Sequence, residues 1–263
     1  MLNSVFKGNY DIIFHQAAIP RVSYSVDNPT ETTETNILKT VNLFKSCDGN
    51  VKRIVSASSS SIYGGSENLP TKETEPKNPK SPYAWQKSAI EDFAKIACDL
   101  YDLDIVCLRY FNVFGPRNPL IGQYTPVVAI FQDQTSKGKD LTIVGDGEQR
   151  RDFTHVLDIV DGLVRCGNSL LDDIEQPNNI AGSMVSGEIF ELGTGKNYSI
   201  NEVVKLYKSD SVNIGPRLGE MRETLCTDTK AYELLGWKPT YTLEEYIAQK
   251  VKEYDEKTIS EFA

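Results

Sequence analysis

Val51-Lys-Arg-Ile-Val-Ser-Ala-Ser-Ser-Ser-Ser-Ile-Tyr63-Gly64 is the stretch that decides the fold. Val51 to Ala57 reads as a strand, and it ends in a run of hydroxyls, Ser58 to Ser61. Upstream, Asp11-Ile-Ile-Phe-His15 is a second short apolar run, typical of a strand buried on both faces. Between them, residues from about Asn28 to Cys47 carry Ile37, Val41 and Phe44 at helical spacing. Downstream, Ser81-Pro82 offers an N-cap and an N1 proline. The helix it opens places Ile90, Phe93, Ala94, Ala97 and Tyr101 on one face, and Asp104 to Tyr110 reads as a third strand. Strands separated by helices of this length imply βαβ units and a parallel sheet. Ligands of such sheets lie at the carboxyl ends of the strands, where the serine run stands.

After Gly115 the alternation loosens. Short strands are expected at Leu141–Val144 and Ile189–Leu192. Helices are expected at Val127–Lys137, Val156–Leu171, Ser199–Lys208 and Thr242–Lys257. Ser199 with Glu202, and Thr242 with Glu245, form S/T-x-x-E capping boxes. Residues 116–263 thus read as a smaller α+β region beside the sheet of residues 1–115, with a soft, partly interleaved boundary.

The 263 residues carry 28 Lys plus Arg against 37 Asp plus Glu, a formal net charge of −9. That balance argues against a nucleic-acid partner, which needs a basic footprint. It leaves room for a phosphate ligand held by a few local arginines. Cys47, Cys98, Cys107, Cys166 and Cys226 contain no C-x-x-C pair, so neither a zinc site nor a disulfide framework is expected. No stretch is long and apolar enough for a membrane span, and Met1 to Tyr10 lacks the pattern of a signal peptide. The expectation is a cytoplasmic protein without a membrane partner. His15 and His155 are the only histidines, and both are read as packed residues rather than metal ligands or catalysts.

Tyr83-Ala-Trp-Gln-Lys87 places a phenol and an ammonium on one helix face. A phenol with a pKa near 10 is a poor base at neutral pH, and a nearby ammonium favours the phenolate. Such a pair can act as a tuned general base and acid. Tyr246 and Lys250 repeat the spacing on the C-terminal helix with no chemistry around them, and there it reads as an amphipathic surface. What distinguishes Tyr83 and Lys87 is the serine run at a strand end just upstream.

With these residues the chain resembles the extended short-chain dehydrogenase/reductase family, in particular its nucleotide-sugar 4-epimerases, over nearly its whole length. The resemblance implies an α/β, Rossmann-like, doubly wound parallel sheet, NAD as cofactor, and a nucleotide sugar, a UDP-hexose, as substrate. His15-Gln-Ala-Ala18 matches the strand end beside the cofactor, which assigns Gln16, Ala17 and Ala18 to it. Asn36 falls on an asparagine of the cofactor region, and Ser25 on a serine facing the substrate. Ser59, Tyr83 and Lys87 fall on the catalytic Ser/Thr, Tyr and Lys, with Ser58 beside them. In Arg109-Tyr-Phe-Asn-Val-Phe-Gly-Pro-Arg117, Tyr110 and Phe111 are assigned to the nicotinamide and Asn112 to the sugar diphosphate. Arg151 is matched to a phosphate-gripping arginine, and Val127 to a substrate contact. Arg217-Leu-Gly-Glu220 resembles an R-P-G-D block, departing at Leu218 and Glu220; Arg217 and Glu220 are carried over as substrate residues. Thr224, seven residues after Arg217, stands where a larger side chain excludes N-acetyl groups, so an acetylated sugar is expected to fit. A homodimer through the helices near 28–47 and 82–101 is also implied.

Related 4,6-dehydratases carry Asp-Glu after the catalytic Ser/Thr, and this chain has Ser60 and Ser61 there. That favours epimerase over dehydratase or reductase. No Gly-x-Gly-x-x-Gly run occurs, although the fold implied by the resemblance opens on a Gly-rich phosphate turn. By resemblance, about 60 to 70 residues forming the first βαβαβ half would precede this sequence. The expectation is weak NAD binding by the chain by itself, completion by a separately encoded N-terminal half, or a non-catalytic remnant that still binds a nucleotide sugar. Ile12–His15 would then be an open sheet edge.

Overall fold

A computed structural model describes residues 10–47, 51–65, 70–120, 125–169, 185–216 and 221–262. At its centre are four parallel strands in the order β1 (Ile12–His15), β2 (Arg53–Ser59), β3 (Ile105–Tyr110) and β7 (Ile189–Leu192). Side-chain alternation explains why both faces of this sheet are covered. Ile54, Ile105 and Cys107 point to one layer with Phe44, Ile90, Ala94 and Ala97. Val55, Val106 and Leu108 point to the other with Ile159, Phe190, Leu192 and Trp237. The first layer holds α3 (Lys39–Ser46) and α4 (Pro82–Tyr101); the second holds α6 (Val156–Asn168) and α8 (Lys230–Leu235).

The strand at Ile189–Leu192 was expected in the smaller region and instead completes the main sheet beside β3. Phe190 and Leu192 are fully buried, and only the sheet offers them an apolar layer. The chain therefore leaves the first layer set and returns to it. Among the described residues β1 pairs only with β2, and Phe14 on it is 46% exposed.

The smaller region packs around a separate core of Phe114, Phe131, Leu141, Phe153, Val203, Tyr207 and Ile247. It contains β4 (Asn112–Phe114), α5 (Val127–Ser136), β5 (Leu141–Val144), β6 (Arg150–His155), β8 (Asn197–Ser199), α7 (Ile200–Tyr207), β9 (Ser211–Ile214) and α9 (Leu243–Phe262). Strand β6 runs parallel to β4 and antiparallel to β8, while β5 pairs in parallel with β9. The Ser199–Glu202 capping box is fully formed. At Thr242, the Glu245 amide donates to the threonine hydroxyl at 3.3 Å, and that hydroxyl donates to the Glu245 carboxylate.

Two short helices precede α3: α1 (Val22–Asp27) and α2 (Pro29–Thr33). Between α2 and α3 lies one wide π turn, Glu34–Leu38. The periodic stretch from Asn28 to Cys47 is thus helical but not one regular helix. The wide turn carries Asn36, whose amide is spent on the backbone of Ile19 and on Gln86.

One polar clamp ties the amino ends of β2 and β3 to α6. Arg53 is fully buried, with Nε 3.0 Å and Nη2 2.7 Å from the two carboxylate oxygens of Asp104. Its Nη1 donates to the Cys166 carbonyl at the end of α6. Removing one partner of a buried pair leaves the other charge uncompensated. Arg53→Ala is expected to cost about 3 kcal/mol, read as a lower urea midpoint; an unchanged midpoint would remove the clamp from the account.

Candidate active site

A cavity of about 770 Å³ opens at the carboxyl ends of β2 and β3. That is where an open parallel sheet places its ligands. Of the residues singled out from the sequence, Ser58, Ser59, Tyr83, Tyr110, Phe111, Asn112 and Arg151 line it. The serine run leaves β2 and turns at once into a 3₁₀ turn, Ser60–Tyr63, capped by the Ser59 hydroxyl, which accepts the Ser61 N–H at 3.2 Å. Gly64 ends that turn at φ +65°, and a Cβ there would lie 2.0 Å from the Asn78 carbonyl oxygen, so only glycine fits.

Helix α4 brings up Tyr83 and Lys87. Ser81 caps it, accepting the Ala84 N–H at 3.2 Å, with Pro82 at the first helical position. The Tyr83 N–H is satisfied from outside the helix, by the Ser25 hydroxyl at 3.0 Å, and that hydroxyl donates to the Val22 carbonyl at 2.6 Å. Ser25 therefore fixes the start of α4 and is not among the residues lining the cavity.

Lys87 lies beneath Tyr83, its Nζ 6.0 Å from the tyrosine ring centroid. It is 8% exposed and donates to the Ala57 carbonyl at 2.6 Å. Burial lowers its pKa to about 8. His15 is neutral in the same neighbourhood: burial first, then the Lys87 charge, pull its pKa down to about 4. It hydrogen-bonds Thr40 at 2.9 Å, and His155 accepts the Leu157 N–H at 3.2 Å. Both histidines are packed, hydrogen-bonded residues.

The other assigned residues are distributed more widely. Gln16 accepts a 2.8 Å hydrogen bond from the Tyr110 hydroxyl, and Ala17 and Ala18 follow it at the end of β1. Asn36 is buried among protein partners, away from the cavity wall. Val127 opens α5 and packs on the core of the smaller region. Thr224 is 5% exposed; its hydroxyl accepts the Asp152 N–H at 3.2 Å, and it borders a small recess beside Ser60 and Phe111. Arg217 and Glu220, with Leu218, lie outside the described residues.

Several residues escaped the sequence reading. Arg21 and Lys80 line the cavity; as isolated basic residues in loops they gave no signal. Behind Ser58 lies a buried ionic network. The Ser58 hydroxyl donates to Glu91, and Arg109 clasps the same carboxylate with Nε at 2.9 Å and Nη2 at 2.8 Å. Burial would raise the Glu91 pKa, but these bonds hold it below the usual carboxylate value. Glu191, bonded to Tyr63, has its pKa pushed up to about 7, chiefly by burial. The carboxylate of Asp152 accepts N–H bonds from Thr194, Gly195 and Cys226, so it organises loops rather than chemistry.

Residues 1–180 match the family described as "NAD dependent epimerase/dehydratase family". The chain belongs to that family. A UDP-glucose 4-epimerase of Mycolicibacterium smegmatis is 36% identical over 94% of this chain and 77% of its own length. The solved UDP-glucose 4-epimerase of Thermotoga maritima with UDP-glucose superposes with a TM-score of 0.85 at 33% identity, covering 98% of this chain and 82% of that one. The Thermus thermophilus UDP-glucose 4-epimerase complexed with NAD gives 0.81 at 29% identity, over 97% and 80%. In this NAD-dependent family the α/β architecture is Rossmann-like, as the sheet described above requires.

The residues present fit the nicotinamide end of such a cofactor. An ammonium has three N–H donors, and the Lys87 hydrogen bond in the structure uses one, directed at Ala57. The others are available for ribose hydroxyls, with Tyr83 and Tyr110 alongside. Ser25 offers the sharpest test of how the site is held. Ser25→Ala strands the buried Tyr83 N–H and is expected to cost about 1 to 2 kcal/mol in urea unfolding; no loss would show that α4 is seated without it.

Proposed function

We propose that this protein interconverts C4 epimers of a UDP-linked hexose. What carries the reading is that Tyr83, Ser59, Asn112 and Arg151 line one cavity while Lys87 lies directly beneath the tyrosine. Bound NAD supplies the hydride acceptor and donor for C4. The chain's own residues do the rest. Ser59 and Tyr83 hold the sugar 4-hydroxyl, and Tyr83 takes its proton as C4 is oxidised and returns one when it is reduced on the other face. The Lys87 ammonium favours the phenolate form that this proton transfer needs. Arg151, on β6, offers the planar fork that a diphosphate accepts, and Asn112 lies on the same cavity wall.

Ser60 and Ser61 stand where elimination would need carboxylic acids, which supports epimerisation over dehydration. A second reading, nucleotide-sugar binding without turnover, rests on Asn112 and Arg151, which line the cavity and could hold a sugar diphosphate without the hydride chemistry. An acetylated sugar remains within the reading through Thr224. A homodimer is part of it too: Trp85, Ile96 and Leu100 are exposed apolar residues on α4, and sedimentation velocity reports whether a second copy covers them. Among the described residues no helix is long and apolar enough to cross a membrane. Five free thiols support a reducing, cytoplasmic setting.

With NAD supplied, the full chain is expected to interconvert UDP-glucose and UDP-galactose. Tyr83→Phe should lower kcat by at least about a hundredfold and leave UDP affinity within about twofold. Arg151→Ala should weaken UDP binding about tenfold. Turnover retained in Tyr83→Phe would contradict the mechanism, and UDP binding without turnover in the wild type would select the second reading.

A further inference from the structure

We propose that Arg109 and Tyr63 are positioning residues that set the direction of the Ser59 hydroxyl through one buried hydrogen-bond network. The inference rests on the role given to Ser59 above. Ser59 ends β2, and its Oγ accepts the Ser61 N–H at 3.2 Å, so its own hydrogen is left for the sugar oxygen. Where that hydroxyl points is set by the strand before it and by the turn Ser60–Tyr63 after it. Ser58 on the strand side and Tyr63 on the turn side are both tied to Arg109.

On the strand side, Arg109 stands opposite Ser58 in the parallel register of β2 and β3. The Ser58 hydroxyl donates to Glu91, and Arg109 grips that carboxylate with Nε at 2.9 Å and Nη2 at 2.8 Å. On the turn side, Arg109 Nη1 donates to the Tyr63 hydroxyl, and the guanidinium carbon lies 5.1 Å from the Tyr63 ring centroid. The Tyr63 hydroxyl in turn donates to Glu191 on β7. Ser58, Tyr63, Glu91, Arg109 and Glu191 are all buried.

One planar guanidinium thus holds the serine segment at both ends. A buried ion pair is a poor source of net stability, so stability alone does not account for the two hydroxyls attached to this one. Removing the Tyr63 oxygen is a mild probe of the arrangement. Arg109 Nη1 keeps a hydrogen bond to the Glu73 carbonyl at 3.1 Å. Glu191, whose pKa burial already pushes up to about 7, can take up a proton once the tyrosine bond is gone. The ring stays in the core, and the turn loses its tether.

Steady-state kinetics of the full chain, with NAD supplied and UDP-galactose as substrate, compares wild type, Tyr63→Phe and Ser58→Ala, each made also in a Ser59→Ala background. Tyr63→Phe is expected to lower kcat about tenfold and leave KM within about twofold, and Ser58→Ala should lower kcat in the same way. In the Ser59→Ala background, which retains Tyr83, the same substitutions should lower kcat by less than about twofold, because the hydroxyl they act through is already gone. Unchanged kcat in both variants, a loss carried by KM, or a loss as large without Ser59 as with it would overturn the inference and leave the epimerase reading standing. Should Tyr63→Phe fail to fold, the Ser58→Ala comparison decides by the same criteria. A wild-type chain that does not turn over UDP-galactose, whether or not it binds UDP, would overturn the epimerase reading first and this inference with it.

Discussion

The site depends on a single buried cation. Lys87 is held by the Ala57 carbonyl at the end of β2 and is cut off from water by the helix that carries it. Desolvation lowers its pKa to about 8, which still leaves the charged form ahead by roughly ten to one at pH 7. The cation therefore survives in a place where it acts on Tyr83 with little screening. Everything around it serves that placement. The Ser25 hydroxyl fixes the first turn of α4, the Ser81 cap starts the helix, and the Ile90–Ala94–Ala97 stripe seats it on the sheet.

A second buried network lies one turn further along the same helix. Glu91 and Arg109 join α4 to β3, and the Ser58 hydroxyl is bonded into that pair. A buried ion pair is weak evidence for stability, since its desolvation offsets much of its attraction. Its consequence here is geometric. The strand end bearing the serines and the helix bearing Tyr83 and Lys87 are tied to the same two charged groups.

The sheet was legible in the sequence because its central strands are short apolar runs buried on both faces. Val55, Val106 and Leu108 face one helical layer, and Ile54, Ile105 and Cys107 the other. The grouping of Ser59, Tyr83 and Lys87 was legible because they lie on elements with clear starts, a strand end and a capped helix. What was not legible depended on long-range closure. The return of Ile189–Leu192 to the main sheet leaves no local mark, since a four-residue strand with three apolar residues reads alike in either sheet. Ser25 was placed at the substrate by its position in the chain, yet its hydroxyl is taken by the Tyr83 N–H, 58 residues away. Arg21 and Lys80 were passed over because exposed cations in loops resemble any solvated surface until the fold turns them toward one cavity.

The most direct test of the account is the ionisation of Lys87 itself. Lysine labelled at Cε, with Lys87→Met to assign the resonance, allows its titration to be followed by NMR in the intact chain. The account predicts a midpoint near 8. A midpoint at the ordinary lysine value of about 10.4 would mean that the amine is solvated, and would contradict the buried cation on which the site is built.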